Sequence, residues 1–69
     1  MTTTLAIDDV DIWRERIRAE YLEMPGLHLT MRQAQRLWGL DALMCAAAFA
    51  ALEQEQFLRR TSAETYARA

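Results

Sequence analysis

A chain of 69 residues holds one small domain. At this length only about 60% of the unfolded chain's surface is buried on folding, so the core is small and leaves little scaffold for a catalytic cleft; we expect no enzymatic activity and no small-molecule substrate. A composition of 52% hydrophobic and 26% charged residues excludes intrinsic disorder, and a formal charge of −2 excludes a global positive field, so any basic surface has to come from fold geometry.

Residues 1–7 read as a loose tail and 8–69 as a single domain. Asp8 or Asp9 is a suitable N-cap for a first helix, in which Val10, Trp13, Ile17, Tyr21 and Met24 recur at helical spacing between charged residues. Trp13 is expected in the core, and Tyr21 there with its hydroxyl at the rim. Pro25-Gly26 stops the helix. Leu27-His28-Leu29 alternates like a very short strand. Thr30 caps a second helix, Met31 to Trp38, which Gly39 ends and in which Trp38 is a further core anchor. Asp41 caps a third helix that runs to about Gln54. Phe57-Leu58-Arg59-Arg60 and Thr65-Tyr66-Ala67-Arg68 are rich in strand formers, with Thr61-Ser62-Ala63-Glu64 between them as a turn; together they predict a C-terminal hairpin. The fold class is α+β, mainly α.

Cys45 is the single cysteine, which excludes an internal disulfide and a cysteine metal cluster and suits a small buried apolar residue. His28, the single histidine, has no partner at metal-ligand spacing and is expected to point outward. Glu53 and Glu55 face different ways on a helix, and Ser62 has no triad partners. We therefore expect no cofactor and no metal. Met1-Thr2-Thr3-Thr4 lacks the basic start of a signal peptide. The longest apolar run, Ala42 to Leu52, has eleven residues, against roughly 20 for a bilayer span. The expectation is a soluble, cytoplasmic protein without a membrane partner.

The stretch from Thr30 to Arg60 carries a pattern. Thr30 opens a helix, Gly39-Leu40-Asp41 makes a tight turn and cap, and Cys45, Ala48, Phe49 and Leu52 share one face of the next helix. Phe57-Leu58 begins a strand. This resembles the helix-turn-helix core of winged-helix proteins, as in bacterial regulators of the MarR and IclR type. It covers about half the chain, and the first helix and hairpin agree in order. The resemblance implies a three-helix winged helix-turn-helix that binds double-stranded DNA, acting as a small transcriptional regulator or the accessory domain of one, as a homodimer.

It also assigns roles to residues. Arg32 and Arg36, four apart on the second helix with Gln33 beside them, correspond to positions where that helix crosses the phosphate backbone. Arg59, Arg60 and Arg68 in the hairpin correspond to a phosphate-contacting wing, although only one of Arg59 and Arg60 can face a given partner. The plainer readings are solvated helix charges and edge-strand protection. Tyr66 is read as hairpin surface.

Three departures stand out. Gln35 occupies a position that is usually Ala, and Gln56 stands where a Gly commonly ends the third helix. The outward face of that helix reads Ala42, Leu43, Met44, Ala46, Ala47 and Ala50, none of which donates to a base edge. Met44 and the alanines there can only touch thymine methyls or fit the groove's shape. That apolar face supports an alternative: a winged helix that serves protein interaction or dimerisation through Leu43, Met44, Ala46, Ala47 and Ala50.

Overall fold

The computed structural model describes residues 7–69. The predicted tail lies outside the described residues, apart from Ile7, which already begins a helix. The elements run α1 (Ile7–Glu23), α2 (Met31–Trp38), α3 (Ala42–Gln54), β1 (Leu58–Arg60) and β2 (Tyr66–Arg68). Among the described residues, three helices and a C-terminal antiparallel hairpin make the fold α+β, mainly α.

Helix α1 starts before the predicted cap, so Asp8 and Asp9 are helical positions and do not precede the helix. Ile17 and Tyr21 are fully buried, and Trp13 packs against the core from a half-buried position. Met24 corrects the predicted stripe: it follows the helix and is exposed. The Leu27 amide donates to the Met24 carbonyl at 2.9 Å around Pro25-Gly26, and Leu27 takes the place against the core.

Helix α2 is held at its start by a reciprocal pair of bonds. Thr30 Oγ1 accepts from the Gln33 amide at 3.1 Å, and Gln33 Oε1 accepts from the Thr30 amide at 2.9 Å. Gly39 then closes the helix in the left-handed region, φ 64°, where a side chain is disfavoured. The close contact with the rest of the domain is made by Ala34, fully buried, and not by Gln35, which is half-buried. The small residue expected there is present, one position earlier than we read it.

Helix α3 is capped by Asp41, whose Oδ1 accepts from the Met44 amide at 2.7 Å. Cys45, Ala48, Phe49 and Leu52 are fully buried, as their spacing predicts. Met44 is buried too, with 8% of its surface exposed. This overturns its assignment to the outward face. It lies one turn before Ala48 and extends a stripe wider than the four-residue pattern had suggested.

Past α3, Gln56 adopts φ 63°, the left-handed conformation that suits glycine. The departure noted at Gln56 is thus one of residue type, with the backbone still turning as a glycine would. We expect Gln56→Gly to stabilise the protein. Removing a left-handed side chain gains about 1 kcal/mol, and the added freedom of the unfolded chain returns part of it. Urea denaturation should show a higher midpoint and an unchanged slope.

The hairpin pairs Leu58 with Arg68, Arg59 with Ala67 and Arg60 with Tyr66. Its turn is closed by the Thr61 amide donating to the Thr65 carbonyl at 2.8 Å. The predicted strand at Leu27–Leu29 survives as a single bridge: the Leu29 and Tyr66 backbones exchange hydrogen bonds at 3.3 and 2.7 Å. The Tyr21 hydroxyl donates to the Tyr66 carbonyl at 2.6 Å, and burial pushes its pKa up to about 12. The Phe49 ring meets Tyr66 edge-on at 4.7 Å, and Trp38 approaches Phe49 at 6.4 Å. Tyr66 is therefore a core residue and not hairpin surface. Three segments converge on its backbone and ring.

Glu55, just after α3, ties that end of the helix to α1. It accepts from Arg14 at 2.9 Å and from Arg18. The Arg18 hydrogen bond holds the Glu55 carboxyl below its ordinary range. A carboxyl with a lowered folded-state pKa adds stability that is fully present above its ordinary value and is lost as pH falls through the folded value. We expect the denaturation midpoint to drop on acidification below the ordinary glutamate range, and Glu55→Gln to flatten that dependence. An unchanged acid limb in the variant would remove Glu55 as its source.

Candidate nucleic-acid interface

Charge is divided along the chain. Up to Gly26 there are six acidic and three basic residues, and from Leu27 onward five Arg face four acidic residues. No acidic residue occurs between Leu27 and Leu40. Helix α2 therefore presents Arg32 and Arg36, both exposed, with no acidic neighbour on its own element.

Among the described residues the ion pairs engage Arg14 and Arg18, while Arg32, Arg36, Arg59 and Arg60 form none. All four are exposed. Arg32, beside the start of α2, and Arg60, in β1, line one open groove of about 610 Å³ together with Thr30, Ser62, Ala63 and Glu64. Arg60 also borders a second groove of about 550 Å³ with Arg59, Glu53 and Gln56. The fold thus brings a cation of the second helix and one of the hairpin to a shared surface, although 28 residues separate them in the chain. Glu64, on the same rim, is the one acidic group lining the first groove.

The hairpin arginines differ. By alternation, Arg60 and Arg68 fall on the face of Leu58 and Tyr66, and Arg59 on the other. Arg60 lies over the Tyr66 ring at 5.6 Å and donates to its hydroxyl at 3.2 Å. Arg68 is half-buried over Phe57 at 4.5 Å, and its Nε is shielded from solvent without a hydrogen-bond partner. Arg18 approaches the same ring at 5.0 Å. Arg68 is therefore held by packing, whereas Arg59 is free to meet a partner. Gln33 is likewise engaged in the α2 cap.

On α3 the exposed residues are Ala42, Leu43, Ala46, Ala50 and Gln54, with Ala47 half-buried. Leu43 is 67% exposed, and Leu37 of α2 is 57% exposed. From Ala42 to Ala50 this face carries no charge and no hydrogen-bonding side chain, and Gln54, one turn on, adds a polar group at its end. The burial of Met44 removes it from both roles first assigned to it, base contact and interface.

A third groove, of about 210 Å³, lies between Trp13 and Trp38, with Arg16 stacked on Trp13 at 5.2 Å. It falls short of the roughly 300–1,000 Å³ usual for a small-molecule site. Burial raises the Cys45 thiol pKa, which keeps it protonated and poorly nucleophilic. Among the described residues no group of three or more His, Cys, Asp or Glu is placed to hold a metal ion, and no helix is long and apolar enough to cross a membrane.

No protein-family model, no curated protein and no solved structure matches the chain.

Proposed function

We propose that the chain is a winged helix-turn-helix domain that binds double-stranded DNA through its phosphates, as a small bacterial transcriptional regulator or the accessory domain of one. The function is binding and not catalysis. The observation that carries this reading is the groove lined by both Arg32 and Arg60, beside an α2 that has no acidic residue. Exposed guanidinium groups on two elements, neither in an ion pair among the described residues, suit two phosphates of one backbone. Such contacts position a protein and carry no sequence information. A single copy therefore binds weakly, and a homodimer supplies the affinity regulation requires.

Chemical-shift mapping with a mixed-sequence duplex tests the surface. The amides of Thr30–Arg36, the first turn of α3 and the Thr61–Thr65 turn should move together. Movement confined to α1 would place the contact elsewhere and end this reading.

A second reading rests on a separate observation, the 67% exposure of Leu43 beside Ala46 and Ala50. An exposed apolar helix face suits a protein partner or a second copy. Under that reading Leu43→Glu abolishes self-association in sedimentation. Under the DNA reading with a dimer formed elsewhere it does not.

A further inference from the structure

We propose that α3 reads thymine methyl groups, so that the domain prefers duplexes rich in A·T pairs; this rests on the DNA-binding reading above. Leu43, Ala46, Ala47 and Ala50 recur at intervals of three, one and three residues and share one helix face. That face extends about 10 Å along the helix, the rise of roughly three base-pair steps. None of these four side chains donates or accepts a hydrogen bond, so the polar code of the major groove is closed to them; Gln54, one turn past Ala50, is the polar end of the face. One apolar feature distinguishes the base edges there, the C5 methyl of thymine, and alanine and larger apolar side chains are its usual partners. Charge complementarity favours a nucleic acid as the occupant of this surface: Arg32, Arg36 and Arg60 are exposed on the neighbouring elements and pair with no carboxylate among the described residues. Leu43, the most exposed of the large apolar side chains described, then loses its contact with water against a methyl.

The test compares an A·T-rich duplex with the same duplex carrying uracil in place of thymine, which removes the methyls and keeps the hydrogen-bonding groups. Each buried methyl is worth about fourfold in affinity, so two contacts predict roughly tenfold or more weaker binding to the uracil duplex. Replacing cytosine by 5-methylcytosine in a G·C-rich duplex should strengthen binding. Leu43→Ala should narrow the thymine-to-uracil ratio to about threefold or less, with an unchanged salt slope and an unchanged fold. Equal affinity for the thymine and uracil duplexes, with steep salt dependence retained, overturns methyl reading and leaves the phosphate reading standing. Absence of binding at low salt overturns both.

Discussion

The Phe49→Ala protein is expected to be largely unfolded at room temperature. Phe49 is fully buried, with its ring edge-on to Tyr66 at 4.7 Å and Trp38 beside it at 6.4 Å. Truncating such a ring costs about 3–5 kcal/mol, through lost burial and the cavity left behind. A core in a chain this short supplies rarely more than about 3–5 kcal/mol in all. The variant therefore loses most or all of the stability, and a helical circular-dichroism signal that melts cooperatively near the wild-type temperature would contradict the packing described. The Tyr66 backbone anchors both Leu29 and Tyr21, so the loss should spread from α3 to the hairpin and α1 as one transition.

Replacing Arg32 and Arg36 together by Ala is expected to lower DNA affinity at low salt by roughly tenfold for each contact removed, and to reduce the slope of log K against log salt by about two. Both side chains are exposed, so the fold should survive. Arg36 in the last turn of α2 adds a few tenths of a kcal/mol against the helix dipole, and the double variant should lose little beyond that. Arg14→Ala with Arg18→Ala is the informative contrast. Those side chains hold Glu55, so their loss should lower the denaturation midpoint and leave the salt slope alone. If both double variants changed the slope equally, binding would reflect overall charge and not the α2 surface.

The parts of the fold legible in the sequence were those set by local chemistry. Thr30 and Asp41 mark helix starts because their oxygens satisfy free amides two or three residues on, and both do so. Pro25-Gly26 and Gly39 mark the stops for equally local reasons. The positions misread depend on tertiary geometry. Met44 lies at one edge of the buried stripe of α3 with half-buried Ala47 just beyond it, and how far burial extends there depends on what packs against it, chiefly α1 and α2. Tyr66 reads as an exposed strand residue until Leu29, Tyr21 and Phe49 are brought to it from elsewhere in the chain. Met24 would have extended α1's apolar stripe had the chain not turned away.

The candidate site divides in the same way. Arg32 and Arg36 were visible as a pair because i, i+4 spacing puts them on one helix face. That Arg60 joins Arg32, while Arg68 lies over Phe57, follows from strand register and aromatic packing, which residue types alone do not specify. The Glu55 link to Arg14 and Arg18 had no sequence signal, since its partners lie 41 and 37 residues away.

The most direct test of phosphate binding is fluorescence anisotropy of a labelled mixed-sequence duplex, titrated with the wild-type protein at low and then near-physiological salt. Binding through phosphates should appear at low salt and weaken steeply as salt rises, because counterions released from the contacted phosphates drive it. No binding at low salt, or binding indifferent to salt, would contradict it.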